Sequence, residues 1–283
     1  MNTSIAAGFW RWQHWDMDAQ STLAFIEGCL ELGVSVFDHA AVYLSEEGFG
    51  EALKLKPSLR DDITLISKAG IRPHSPNEFG ELSAKSVSHY DSSYDHLIRS
   101  VERSLKKLHT DHLDIFLIHR PDYLMRVDEV AKAVDDLTRA GVVNSFGVSN
   151  FNQDQLAWLR SVAKIDWHQL EFSVVKNQAL DNGSLNQLQR NDIGAMYWSP
   201  LAGGEVMQHA LLLTAFDTLA KKYSIAPGSV PYAWLNTYPL AGLQITGSSR
   251  LSRIAHAVEG SKVMLSHDDW YRLLEIAREV SVP

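Results

Sequence analysis

The strongest constraint on this chain is an alternation: short apolar runs and amphipathic segments succeed one another from end to end. The runs are "IAAGFWRW" (5–12), "VSVFD" (34–38), "DITLISK" (62–68), "LDIFLIH" (113–119), "VVNSFGVSN" (142–150), "WHQLEFS" (167–173), "IGAMYWSP" (193–200) and "LQITGS" (243–248). Apolar residues on both faces of such runs predict parallel strands covered on both sides. Helical patterns lie between them. Residues 92–108 open on a Ser-x-x-Asp cap at Ser92 and Asp95 and then place Leu97, Val101 and Leu105 on one face. Residues 127–141 end in a glycine stop. Eight βα units without a linker or composition break favour a closed (β/α)₈ TIM barrel, an α/β fold in one domain, over an open doubly wound sheet. The dinucleotide fingerprint of the open sheet is missing, and its nearest match, "GFGEAL" at 48–53, lacks the third glycine and follows no strand. Residues 69–91, rich in Ser, Pro, Gly and His, form the longest irregular segment and a candidate substrate loop.

A chain of 283 residues is long enough for one such barrel, and its formal net charge of −8 argues against nucleic acid or an anionic membrane as partner. The single cysteine, Cys29, excludes a disulfide framework within the chain. With no secretory leader pattern and no long apolar span, the expected location is the cytoplasm. The glycosylation-type matches at Asn2 and Asn182 then carry no meaning.

In a (β/α)₈ barrel chemistry gathers where the strands end at the C-terminal face. The residues there are Asp38, Lys68, His119, Ser149, Asn150, Gln169, Glu171, Trp198, Ser199, Gly247 and Ser248, polar at nearly every position. A lone Lys or His in such a place is more often structural than functional. Asp38, Tyr43, Lys68 and His119 converging on one rim suit a single task. A phenol is a poor acid near neutrality, and an adjacent ammonium favours its ionised form, so Lys68 is expected to tune Tyr43 and Asp38 to hold the lysine. A neutral His119 can orient a carbonyl. No metal is expected: close ligand spacing is missing, and "HTDH" at 109–112 falls at the wrong end of the barrel. The "GVSNF" stretch is no nucleophile elbow, and paired carboxylates of glycoside hydrolysis are missing from the strand ends. A phenol without metal or nucleophile suggests proton transfer coupled to chemistry that a cofactor supplies.

The segments "GVSVFDHAAVY", "ISKAG", "LDIFLIHRPD", "GVVNSFGVSNF", "HQLEFS", "WSPLAGG" and "ITGSSRLSRI", in this order, resemble the aldo-keto reductases, and within them the bacterial YdhF-like oxidoreductase branch. The resemblance runs from about residue 8 to the end. It implies that Asp38, Tyr43, Lys68 and His119 form the catalytic tetrad, with Tyr43 as general acid, and that NADPH delivers hydride to an aldehyde or ketone. It implies further that Ser149, Asn150 and Gln169 hold the nicotinamide carboxamide and that Trp198 stacks on the ring. Ser199 and Leu201 match the pyrophosphate segment, and Gly247, Ser248, Arg250 and Arg253 match the grip on the adenosine phosphate. A helix start bearing two arginines independently suits a phosphate.

The chain departs from the family pattern at His39 (usually Thr), Leu44 (usually Gly) and Ala257 (often Asn). The family's N-terminal hairpin is expected to be truncated, and no long C-terminal segment is expected over the pocket. Trp10, Trp12 and the 69–91 loop are then its expected walls. The reading is an NADPH-dependent carbonyl reductase acting on a small molecule. The alternatives are a nicotinamide-binding sensor with little turnover and, a distant third, a metal-dependent hydrolase.

Overall fold

The structure, a computed structural model, describes residues 3–73 and 88–281. Its strands, in chain order, are β1 Ile5–Gly8, β2 Val36–Asp38, β3 Thr64–Ala69, β4 Ile71–Arg72, β5 His89–Tyr90, β6 Leu113–Ile118, β7 Val143–Ser149, β8 Trp167–Glu171, β9 Gly194–Trp198 and β10 Gly242–Thr246. Eight of them close a barrel in the order β1-β10-β9-β8-β7-β6-β3-β2. All its ladders are parallel, from Gly8 beside Asp38 to Ala7 beside Thr246.

Around it run α1 Ala19–Glu31, α2 Glu46–Leu55, α3 Tyr94–Leu108, α4 Val127–Arg139, α5 Gln153–Arg160, α6 Ser184–Arg190, α7 Ala210–Tyr223, α8 Val230–Thr237, α9 Leu251–Gly260 and α10 His267–Arg278. Every strand run read from the sequence is a barrel strand. Their two-sided apolar character has a direct cause. Ala6, Ile66, Ile115, Leu117, Met196 and Ile245 fill the barrel interior, while neighbours such as Phe37, Leu65, Phe116 and Phe146 belong to the larger core shared with the helices.

The structure corrects several boundaries. The first run stops pairing at Gly8, and a 3₁₀ turn, Trp12–His14, follows before α1. The cap read at Ser92 lies one residue too early: Ser93 is the N-cap of α3, and the Ser92 amide and hydroxyl donate to Asp122 at 2.9 and 3.1 Å. Gly141 does stop α4, at φ +70°. The segment read as irregular carries β4 and β5, an antiparallel pair, at its ends; residues 74–87 of the expected substrate loop lie outside the described residues. One glycine is fixed by packing: a Cβ at Gly50 would run into the Lys107 carbonyl where α2 meets α3. No helix among the described residues is long and apolar enough to cross a membrane.

Candidate active site

β2 and β3 deliver their last inward residues, Asp38 and Lys68, to the C-terminal end of the barrel. Lys68 Nζ donates to Asp38 Oδ2 and to the His39 carbonyl, both at 2.8 Å, and its side chain is fully buried. Gln169, reaching in from β8, donates its amide to the other carboxylate oxygen at 3.0 Å. Burial lowers the Lys68 pKa, and Asp38 partly offsets that by favouring the ammonium.

The chain then turns. Ala41–Tyr43 form a 3₁₀ turn closed by Leu44, whose φ of +58° is the left-handed conformation that glycine occupies without strain. This gives the Leu44 departure a physical meaning. The His39 departure has one too. His39 Nδ1 lies 2.9 Å from Ser45 Oγ across the turn, and its ring sits 4.5 Å from that of Phe9 and 4.6 Å from that of Phe49, centroid to centroid. The Nε2 atom is buried without a partner.

The turn sets Tyr43 OH 3.3 Å from His119 Nε2, the two rings meeting edge to face. Burial, and then the Asp38 charge, push the Tyr43 pKa well above the ordinary phenol value, with Arg120 opposing. Burial likewise drops His119 to about 2, with the Lys68 and Arg120 charges adding to the effect. The imidazole is therefore neutral at any ordinary pH. Lys68 Nζ stands 4.9 Å from the Tyr43 ring centroid, with two of its three N–H donors engaged by Asp38 and the His39 carbonyl. The expected downward tuning of the phenol by Lys68 is thus outweighed: desolvation dominates and keeps Tyr43 protonated.

A second network positions His119. Its amide donates to the Ala69 carbonyl at 2.8 Å, and its own carbonyl accepts from Asn150 Nδ2 at 3.2 Å. The same amide group donates to Ser149 Oγ at 2.7 Å, while Asn150 Oδ1 accepts from Trp198 Nε1 at 3.0 Å. Ser149, Asn150, Gln169 and Trp198 therefore stand together beside Tyr43 and His119.

Further along the rim, Ser199 (φ +53°), Ala202 (+47°), Gly203 (+68°) and Gly204 (+107°) fold the segment after β9 into a tight turn next to Leu201. A Cβ at Gly204 would meet nothing within 4 Å, and one at Gly247 only the Gly8 carbonyl oxygen, at 3.8 Å. At the start of α9, Ser248 Oγ accepts from the Arg250 amide at 3.2 Å, and Arg250 and Arg253 are exposed. Ala257, on the same helix, is fully buried in the core.

An outer pocket beside Tyr43 is lined by Trp10, Arg11, Gln13, His14 and Val42. Trp10 is exposed there as expected, but Trp12 turns inward onto Phe9 and the core, so it is not among those walls. Sequence reading missed Arg11, Arg120 and the buried Glu46, which accepts from Ser67 Oγ at 2.6 Å behind Lys68. Adjacency to Trp10 and His119 was the available signal for the two arginines. Glu171, at the end of β8, has its pKa raised by burial. The described residues hold no group of three or more His, Cys, Asp or Glu able to bind a metal ion.

A parallel eight-stranded barrel whose mouth joins a protonated phenol, a neutral imidazole and a buried lysine–aspartate pair has the groups for acid–base chemistry on a bound molecule. The chain belongs to the aldo/keto reductase family: residues 4–278 match the family model. It is 39% identical to the oxidoreductase YdhF of Escherichia coli over 98% of this chain and 94% of that protein. It is 34% identical to a 6-dehydroglucose reductase of Agrobacterium fabrum, over 98% of this chain and 95% of that one. Among solved structures, a glycerol dehydrogenase from Gluconobacter oxydans superposes with a TM-score of 0.83 at 21% identity, covering 99% of this chain and 93% of its own, which speaks for the fold. The protein is an oxidoreductase of this family.

Proposed function

We propose that the protein is an NADPH-dependent reductase of an aldehyde or ketone, with Tyr43 as its general acid. The observation that carries this reading is the 3.3 Å approach of the Tyr43 hydroxyl to a neutral His119 in front of the buried Lys68–Asp38 pair. A phenol kept protonated by burial suits a donor: its proton is needed where a carbonyl oxygen becomes an alkoxide. His119, uncharged and held at both its backbone amide and its carbonyl, orients that oxygen through Nε2. Asp38 and the His39 carbonyl fix the Lys68 ammonium under the phenol ring, where its charge stabilises the developing phenolate.

The chain's own groups fit the cofactor. Half-buried Trp198 is locked by Asn150 and offers an aromatic face beside Ser149 and Gln169. The 199–204 turn and Gly247 leave backbone open to close approach, as a pyrophosphate requires, and the exposed Arg250 and Arg253 at the first turn of α9 suit a 2′-phosphate. When bound there, the cofactor supplies the hydride. The 6-dehydroglucose reductases of Agrobacterium fabrum and Novosphingobium aromaticivorans, at 34% and 32% identity, support a small polar carbonyl compound as substrate.

The test is Tyr43→Phe. Aldehyde-dependent oxidation of NADPH should fall by at least a hundredfold, while quenching of tryptophan fluorescence by NADPH persists at a similar dissociation constant. Undiminished reduction by the variant removes Tyr43 from its role. Quenching without oxidation in the unaltered protein, across a panel of aldehydes, refutes the reductase reading in favour of a binding protein.

A further inference from the structure

Two guanidinium groups at the mouth of the barrel have no carboxylate partner among the described residues. Arg120 follows His119 directly, is half-buried, and holds its guanidinium 6.0 Å from the centroid of the Trp198 ring. Its charge reaches both reacting groups, disfavouring protonation of His119 and opposing the rise of the Tyr43 pKa. Arg11 lies across the mouth, in the wall of the outer pocket. It stacks 5.5 Å over Trp10 and donates Nη2 to the Gly203 carbonyl at 3.1 Å.

Four acids of the same face are already engaged by other cations, and Asp122, two positions after Arg120, accepts from Ser92 and from the Leu124 amide. Asp38 holds Lys68, Asp91 holds Arg72, Asp181 holds Arg278 and Glu205 holds Lys176. Glu171 is the carboxylate that feels the Arg120 charge, yet it makes no ion pair with it, and burial favours its protonated form. Among the described residues, the pocket wall next to Tyr43 contains no acid. In a chain of net charge −8, two unneutralised guanidiniums flanking one phenol are a local reversal of sign. Guanidinium binds carboxylate through paired parallel hydrogen bonds, and a half-buried one gains more from that pairing than a solvated one.

Resting on the carbonyl-reductase reading, we propose that the substrate is an anionic carbonyl compound, an aldehyde or ketone bearing a carboxylate, and that Arg120 is the residue that binds this carboxylate, with Arg11 providing a second cation at the pocket rim. The carbonyl then lies between Tyr43 and His119 while the charged end turns toward Arg120. The choice of substrate is made by the arginine rather than by the tetrad.

A matched pair of probes tests this: 4-formylbenzoate and its methyl ester, close in size and different in charge, the ester's aldehyde being the more electrophilic, so that a carboxylate advantage cannot be electronic. For the unaltered protein kcat/KM should be at least tenfold higher for the carboxylate, through KM, and the advantage should shrink as sodium chloride is raised. In Arg120→Gln the carboxylate-to-ester ratio should fall toward one while the NADPH dissociation constant stays within about twofold. A ratio of one or less in the unaltered protein overturns the proposal. So does an Arg120→Gln variant that keeps the ratio, or one that weakens NADPH binding instead, which would assign the arginine to the cofactor. If neither aldehyde oxidises NADPH, the reductase reading fails separately. Calorimetric titration of the NADPH-loaded protein with 4-formylbenzoate then decides the anion site by itself: saturable binding lost in Arg120→Gln upholds it, and no binding overturns it.

Discussion

Acid should unfold this protein steeply, starting well above the carboxylate range, because three of its histidines are buried uncharged. Burial holds His39 at about 3, His119 at about 2 and His168 at about 4. His168 on β8 has both ring nitrogens buried and unpartnered. In the unfolded chain each imidazole titrates near 6.5, so below that pH the unfolded state binds protons that the folded state refuses. The depressed folded values fix the sign: the stability is complete above about pH 6.5 and is lost as pH falls toward the folded values. Each histidine approaches a slope of ~1.4 kcal/mol per pH unit below 6.5, so three approach ~4 kcal/mol per unit and lose ~5 kcal/mol between pH 6.5 and 5. That is comparable with the whole stability of an ordinary domain. Urea unfolding followed by far-ultraviolet circular dichroism at pH 7.5, 6.5, 5.5 and 5.0 measures the slope. His168→Leu, which removes a ring with no hydrogen-bond partner, should remove about a third of it. A stability flat between pH 7.5 and 5, or a slope unchanged by His168→Leu, would refute the reasoning.

The Lys68–Asp38 pair makes a different prediction. Asp38→Leu leaves a buried ammonium with only the His39 carbonyl and should lose ~3–5 kcal/mol, whereas the double variant with Lys68→Met should regain most of it. A double variant as unstable as the single one contradicts this account. His39→Ala removes a ring packed between Phe9 and Phe49 and a hydrogen bond to Ser45, and should lose ~2–4 kcal/mol together with a drop in kcat. His39→Asn keeps a hydrogen-bonding atom where Nδ1 stands and should recover kcat more than stability; equal kcat in the two variants would remove the Ser45 bond from the explanation.

The barrel was legible because its strands must be apolar on both faces, and runs such as "LDIFLIH" have no other economical use in an α/β chain. The rim residues were legible because strand ends can be read without knowing the packing. Boundaries were less so. Pairing of the first strand ends at Gly8, although apolar and aromatic residues continue to Trp12, because Phe9 and Trp12 turn into the core beneath the helices. The cap of α3 moved by one residue because Ser92 answers to Asp122, thirty positions away, which no local pattern records. The direction of the Tyr43 shift was misjudged for a similar reason. The nearby ammonium is visible in the sequence, but the depth of burial that outweighs it is not. Arg120 was passed over since an unpaired charge can be recognised only after every neighbouring charge has been matched.

The two departures from the family pattern, His39 and Leu44, both fall in the turn that carries Tyr43. In the structure they act at different places and in opposite senses. Leu44 occupies a left-handed conformation that costs a non-glycine residue roughly 1–2 kcal/mol, and its exposed side chain offers little burial in return. His39, six positions before Ser45, is fastened by its amide to Ile66, by its carbonyl to Lys68, by its ring to two phenylalanines and by Nδ1 to Ser45. A threonine at that position has no ring to wedge between Phe9 and Phe49. The turn is therefore anchored at residues 39 and 45, on either side of the strained residue, and the strain has no soft segment into which to relax. Tyr43 owes its position to those anchors and to His119, not to the conformational freedom of the residue that follows it. That is how a side chain replaces the glycine here while the phenol still meets the imidazole.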